Sequence, residues 1–282
     1  MFSVDEMHQR LYRFRTRLQQ SGQADKPLYF AKVDVQSCFD SIPQKPLLRL
    51  LNALICAEGY TISRYAQAKA LEGSGRSQDQ PAITPKPVWK FKGKAQIADQ
   101  REPFPEHAEQ EAATSIGTVF VDLEGKTQKS RAGILALLRE HIERNIVQIG
   151  KKYYRQTTGI PQGSIMSSLL CNFFYAELES KVLTFLQDGE SLLLRLIDDF
   201  LLISTNRDTA SRFVQVMHAG LPEYGLKIKS EKSVVNFDVQ YGGRAVSRLP
   251  AITEFPYCGN AIHTVNLNIS RDEARRQQNS KC

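Results

Sequence analysis

Two adjacent carboxylates, Asp198 and Asp199, stand inside the apolar segment LLLRLIDDFLLIS, 192–204. Burying an ionised carboxylate without a partner is costly, and a second one beside it adds repulsion. Either the pair reaches water at a turn, or a cation meets it. An isolated Asp-Asp at a hairpin turn is usually structural, because Asp favours turns and tolerates left-handed backbone. The flanks make this pair less ordinary: apolar strands on both sides would hold a turn rigidly, and rigid elements position chemical groups well. A further carboxylate, Asp34, ends another β-rich segment, LYFAKVDV, 28–35. Brought together, these aspartates make an all-oxygen site suited to Mg2+. Two such ions, about 3.5–4 Å apart, stabilise the attacking and leaving oxygens of phosphoryl transfer, and divalent cations reverse the electrostatic objection. Spacing alone does not bring Asp34 to Asp198.

The rest of the composition narrows the chemistry. Cys38, Cys56, Cys171, Cys258 and Cys282 include no C-x-x-C pair and no Cys/His cluster with zinc spacing, which suits a reducing, intracellular setting. The 282 residues allow one large domain or two small ones, and 41% hydrophobic with 24% charged residues fits a soluble globular chain. A formal net charge of +7 favours an anionic partner such as nucleic acid, but only weakly, because the charge is spread along the chain. The N-terminus is charged throughout, unlike a signal peptide. No apolar run is long enough for a bilayer, so no membrane partner is expected.

The elements that must position the carboxylates can be read from periodicity. Residues 5–20 form an amphipathic helix with Met7, Leu11, Phe14 and Leu18 on one face. The strand 28–35 sets Phe30, Lys32 and Asp34 on one side and Val33 and Val35 on the other. A helix follows with Ser41 and Gln44 as a capping box, Pro43 in its first turn and a stripe of Leu47, Leu48, Leu51, Leu54 and Ile55. From about 71 to 113 the chain is rich in Gly, Pro and mixed charge, the composition of a loosely ordered insertion. Within it, KPVWKFKGK interleaves Lys86, Lys90, Lys92 and Lys94 with Trp89 and Phe91, a pattern that suits single-stranded nucleic acid or an ordinary solvated loop. A helix over 130–145 carries Ile134, Leu137, Leu138 and Ile142. IVQIGKKYYRQT then reads as a hairpin with Gly150-Lys151 at its turn. Ser164 can cap a long helix that buries Leu169, Leu170, Phe173 and Phe174. After the acidic hairpin comes a helix over 208–219 with Phe213, Val216 and Met217 inward. The order resembles a split βαβ plan of antiparallel sheet with helices on one face.

The motifs LYFAKVDVQSCFDSIP, GIPQGSIMSSLLCNFFYAELE, LLLRLIDDFLLIS, GLPEYGLKIKSEKSVVNF and FPYCGN resemble, in this order, reverse-transcriptase motifs A to E. They look most like the telomerase type. Leu196-Ile197 precede the acidic pair, whereas retroviral enzymes carry an aromatic two positions before it. Ser168 stands where many intron and retrotransposon enzymes have proline. The long segment between motifs A and B is similar to the telomerase insertion in the fingers.

The resemblance implies an α+β reverse-transcriptase palm, a ferredoxin-like antiparallel sheet with helices on one face, with a partly ordered helical and loop insertion. Its parts are an N-terminal helix and linker at 1–27, palm with motif A at 28–55, insertion at 56–155 with about 71–113 disordered, palm with motifs B to E at 156–264, and a polar tail at 265–282 beginning a missing thumb. It implies Asp34 and Asp198, with the Val35 carbonyl, as principal ligands of two Mg2+ ions, and Asp199 as the third catalytic aspartate. Phe39 corresponds to the aromatic that excludes a ribose 2′-OH, though by itself it reads equally as a core residue. Gln162 and Gly163 correspond to the loop beside nucleotide and template. Gly lets backbone approach a ligand, and Gln has both donor and acceptor atoms. Lys232 matches the lysine that protonates pyrophosphate, or is a surface residue beside Glu231. Tyr257, Cys258 and Gly259 match the primer grip. Lys151, Lys152 and Arg155 could meet nucleic-acid phosphates.

The implied activity is RNA-templated addition of deoxynucleotides to telomeric single-stranded DNA. Telomerase RNA, deoxynucleoside triphosphates and telomerase accessory proteins are the implied partners, in the nucleus at chromosome telomeres. Two rivals remain at this point: an intron- or retrotransposon-type reverse transcriptase, and a palm-like remnant that only binds nucleic acid or a partner. The 33 residues before Asp34 do not match finger motifs 1 and 2. The RNA-binding domain has no counterpart either, so a partial chain with little or no polymerase activity alone is expected.

Overall fold

The computed structural model describes residues 4–69, 87–100, 102–115 and 117–272. In chain order it contains α1 (Val4–Gln20), β1 (Tyr29–Asp34), α2 (Cys38–Ser41), α3 (Gln44–Leu54), β2 (Gly59–Lys69), β3 (Val88–Ile97), α4 (Phe104–Ala112), β4 (Thr118–Ser130) and α5 (Arg131–Glu143). There follow β5 (Ile146–Ile149), β6 (Lys152–Arg155), α6 (Ile165–Lys181), β7 (Ser191–Leu196), β8 (Asp199–Ser204) and α7 (Arg207–Ala219). Short strands complete it: β9 (Val234–Val235), β10 (Gln240–Tyr241), β11 (Arg244–Ala245), β12 (Ser247–Arg248), β13 (Glu254–Tyr257), β14 (Asn260–His263) and β15 (Ile269–Arg271). Two compact units result, Met1–Leu50 with His141–Cys282, and Leu51–Glu140. The hairpin β5–β6, grouped with the insertion by sequence, clusters with the first unit. Among the described residues no helix is long and apolar enough to cross a membrane.

The first unit is built on a five-stranded sheet in the order β12-β9-β1-β8-β7. Its pairs are antiparallel except β12 with β9. Alternation along β1 puts Phe30, Lys32 and Asp34 on one face, as the sequence predicts. That face is covered by the α1 stripe Met7, Leu11, Phe14 and Leu18 and by Phe255, Tyr257 and Ile262 from the small sheet β13-β14-β15. Each such side chain contributes about 1.5–3 kcal/mol of hydrophobic stabilisation when fully buried. On the other face lie α6 and α7, with Phe174, Leu178, Phe213 and Met217 fully buried and Tyr175 packed edge-on against Phe200 at 5.8 Å between ring centres.

Several local readings change. The predicted capping box does not form: the Ser41 hydroxyl donates to the Cys38 carbonyl, and the Gln44 amide donates to the carbonyls of Ile142 and Gly159, both at 3.0 Å. Pro43 is the reason, because the residue before a proline is driven out of helical conformation, and Ile42 is extended at ψ 121°. The predicted helix is therefore α3, which starts only at Gln44 after Pro43, while the short α2 before it was not foreseen, and Leu54 is exposed. On α6, Leu169 and Phe173 are exposed while Cys171, Tyr175 and Leu178 are buried beside Leu170 and Phe174. Leu137 is exposed on α5, and Val214 is buried where Val216 was expected to be.

The second unit corrects the reading of 71–113 as loosely ordered. Residues 70–86 lie outside the described residues, but β3 pairs along its full length with β2, which also pairs with β4, and α4 is a regular helix. Two of the lysines on β3 are paired with acids. Lys92 meets Glu111 at 3.1 Å, and the Tyr65 hydroxyl donates to Glu111 at 2.8 Å. Burial and this acidic neighbour push the Tyr65 hydroxyl up to about 12. Lys94 is paired with Glu102. Period two sends Trp89 and Phe91 to the opposite side of the sheet from Lys90, Lys92 and Lys94. The lysines and aromatics therefore do not share one surface.

Candidate active site

Asp34 ends β1 and Asp199 begins β8, and the two are register partners across an antiparallel pair. Directly opposed side chains share a face. Asp198 is the second residue of the two-residue turn between β7 and β8. The first, Ile197, has φ +57°, a place where hairpins ordinarily carry glycine or asparagine. The Val35 N–H donates to the Asp198 carbonyl at 3.1 Å, and the Lys229 N–H to the Asp34 carbonyl at 3.0 Å. Backbone bonds thus fasten the end of β1 to the turn on one side and to the 227–232 segment on the other. Asp34, remote in sequence, is thus brought beside the Asp198-Asp199 pair.

Three lysines attend them. Lys32, whose side chain is 9% exposed, lies 3.3 Å from Asp199. Lys229 and Lys232 approach the two oxygens of Asp34 at 3.7 and 3.5 Å. Even so, Asp34 Oδ1 is buried without a hydrogen-bond donor. Burial first, and then the charges of Asp199 and Asp34, hold the Asp198 carboxyl above its usual range, with Lys232 opposing. The donor set is hard oxygen, and an orphaned carboxylate oxygen at its centre is what a divalent cation would relieve. The residues therefore fit Mg2+. Asp34 and Asp199 are engaged with lysines, and no group of three or more His, Cys, Asp or Glu among the described residues is already gathered as a metal cage.

Of the flanking parts, residues 39–40 bond the 159–162 loop, and residues 257–258 reach Asp199. The Phe39 carbonyl accepts from the Ile160 N–H at 2.7 Å, and Asp40 accepts from the Gln162 amide at 2.8 Å. Phe39 is half-buried. Gly159, at φ +80°, lets the loop lie on this turn, since a Cβ there would come within 2.5 Å of the Phe39 carbonyl oxygen. Gly163 is exposed at φ +78° with open space around it. On the other side, the buried Tyr257 donates its hydroxyl to the Asp199 carbonyl at 3.1 Å, and the Cys258 thiol lies 3.7 Å from Asp199 Oδ2. Burial and the Asp199 charge push that thiol up to about 12. Lys151, Lys152 and Arg155 stand apart on the exposed β5–β6 hairpin.

Sequence reasoning missed Lys32 and Lys229 as members of the site. Lys32 had a signal, a lysine two residues before Asp34 on the same strand face, but its partner is fixed only by register. Lys32→Met is expected to cost about 2–3 kcal/mol in urea unfolding, somewhat under the usual cost of breaking a buried pair because Asp199 keeps some water. Adding Asp199→Asn should recover much of that loss, as a double-mutant cycle would reveal.

Comparison with known proteins is consistent with this geometry. Residues 121–259 match the family model described as reverse transcriptase (RNA-dependent DNA polymerase), a span that contains Gln162, Asp198, Asp199 and Tyr257 and leaves Asp34 outside. The telomerase reverse transcriptase of Bos taurus is 31% identical over 283 aligned positions, covering 97% of this chain and 24% of the relative. That of Takifugu rubripes is 32% identical over 257, covering 88% and 23%. The chain thus spans about a quarter of the length of the curated relatives it matches. Among solved structures, apo telomerase from Candida tropicalis aligns with a TM-score of 0.64 at 20% identity, covering 98% of this chain and 37% of that one. Telomerase from Candida albicans in complex with a TWJ fragment of telomeric RNA aligns at 0.60 and 20% identity, over 96% and 35%. At such identities the likeness is one of fold.

Proposed function

We propose that the chain belongs to the telomerase reverse transcriptase family and that its palm catalyses RNA-templated addition of deoxynucleotides to the 3′ end of telomeric single-stranded DNA. One observation carries the reading: Asp34 faces Asp199 beside the Asp198 turn, with a buried carboxylate oxygen left without a donor. Asp34, Asp198 and the Val35 carbonyl would hold two Mg2+ ions, with Asp199 as the third carboxylate. When bound, the ions supply Lewis-acid activation of the primer 3′-OH and neutralise charge on the departing pyrophosphate. Lys232, beside Asp34, is placed to give a proton to that pyrophosphate. Phe39, fixed by the Gly159–Ile160 backbone, excludes a ribose 2′-OH. Gln162 and Gly163 border the nucleotide and template, and the Tyr257-Cys258-Gly259 turn holds the primer end. Telomerase RNA, deoxynucleoside triphosphates and telomerase accessory proteins are the partners of this reading, in the nucleus at chromosome telomeres.

The test has two arms. In a full-length protein that carries this segment, extension of a telomeric DNA primer on its RNA template should fall to background in Asp34→Ala. Mn2+ titration followed by electron paramagnetic resonance should show binding by the parent chain and its loss in Asp34→Ala. Unchanged Mn2+ binding and unchanged extension in that variant would refute the ligand assignment.

A further inference from the structure

We infer that the β5–β6 hairpin is a docking site for one strand of RNA, the template strand beside the Gln162–Gly163 loop. The inference rests on the reverse-transcriptase reading, which makes that strand RNA.

Every residue from 146 to 155 is exposed. Register puts Val147 with Tyr154 on one side of the ribbon and Gln148 with Tyr153 on the other, so each side shows a tyrosine. A two-stranded ribbon with no covered side is marginally stable in water. Charge identifies the occupant. From 144 to 176 the sequence contains no Asp or Glu, while Arg144, Lys151, Lys152 and Arg155 lie on or at the foot of the hairpin. None of the four is in an ion pair among the described residues. Strand β3 is the instructive contrast: two of its lysines are neutralised by Glu102 and Glu111, and its aromatics point the other way. On the hairpin the cations are unopposed and the tyrosines are beside them, which gives phosphate contacts and stacking platforms on one element.

The foot of the hairpin is fastened to the site. Gln156 exchanges bonds with Asn145 at 2.9 and 2.7 Å and donates to the Ile160 carbonyl at 3.3 Å. Ile160 in turn donates to Phe39 at 2.7 Å. A strand held by the hairpin is therefore held next to the loop that borders the template base.

The experiment is fluorescence anisotropy of a labelled single-stranded RNA oligonucleotide with the 282-residue chain, across a salt series and against DNA of the same sequence. Lys151→Gln with Lys152→Gln should lower the slope of log K against log salt by about 1.4, at about 0.7 per single-strand phosphate contact. Tyr153→Ala with Tyr154→Ala should weaken binding by about tenfold or more with the slope unchanged. Lys90→Gln, on the other basic strand, should change neither. All these positions are exposed, and thermal unfolding checks that the variants keep their fold. Absence of RNA binding by the parent, or affinity and slope unchanged in the hairpin variants, would overturn the inference. Tighter binding of DNA than RNA through the hairpin would also overturn it, assigning the element to the primer. A failure of the catalytic reading shows in the extension and Mn2+ measurements, and a failure of this one shows in RNA binding by the hairpin variants.

Discussion

Asp198→Asn is expected to make the metal-free protein harder to unfold at neutral pH while reducing primer extension to background. Burial, then the charges of Asp199 and Asp34, raise the folded carboxyl above its ordinary value of 3.8, against the pull of Lys232. The folded state therefore holds its proton more tightly than the unfolded chain. Stability from this group is full below 3.8 and declines as pH rises from there through the raised folded value. Asparagine keeps the shape and cannot ionise. The turn survives, because Val35 bonds the backbone carbonyl of residue 198 and not its side chain. Urea midpoints of parent and variant should converge in acid and separate toward neutrality, with the variant ahead by roughly 0.5–2 kcal/mol. Adding Mg2+ should close the gap by stabilising the parent alone. A variant less stable than the parent at neutral pH would mean that the three carboxylates are not in electrostatic conflict.

Gly225→Ala should be the most damaging single methyl in the first unit. Gly225 sits at φ +62°, and a Cβ there would lie 1.9 Å from the Ser41 carbonyl oxygen. Left-handed backbone costs an alanine about 1–2 kcal/mol, and overpacking against backbone adds about 1–3. A loss of about 2–5 kcal/mol is expected in urea unfolding. Gly163→Ala is the control: its φ is +78° but no atom lies within 4 Å, so only the left-handed cost of about 1–2 kcal/mol applies. Equal losses at the two positions would refute the packing argument. Gly225 closes on Ser41 from one side, and Gly159 closes on Phe39 and Asp40 from the other. The short α2 helix is thus approached closely by two glycines: a methyl at Gly159 would meet the backbone of Phe39 and Asp40, and one at Gly225 would meet Ser41 and Pro43.

What the sequence disclosed followed from local pattern. Apolar flanks marked 192–204 as a hairpin with its acids at the tip, and α1 showed its buried stripe through Met7, Leu11, Phe14 and Leu18. What it concealed was set by distant partners. Asp34 was legible as a strand end, but its meeting with Asp199 is a matter of β1–β8 register. Ser41 and Gln44 had capping-box spacing, yet the helix begins only after Pro43, and Gln44 bonds Ile142 and Gly159. The strands β2 and β3 hide in mixed charge because Lys92 and Lys94 find their acids on or just before α4. Leu169 and Phe173 mislead for another reason: α6 is apolar on more than one stripe, and periodicity does not say which stripe faces the sheet.

Ile197 carries a branched side chain in a backbone shape that L-residues rarely adopt. Branching narrows the rotamers open to it, and the strands on either side leave the turn little freedom of backbone. The tip of the hairpin is therefore a fixed landmark. In the polymerase reading proposed above, ions and nucleotide would come to carboxylates whose backbone is already set, by the turn itself and by the Val35 and Lys229 bonds.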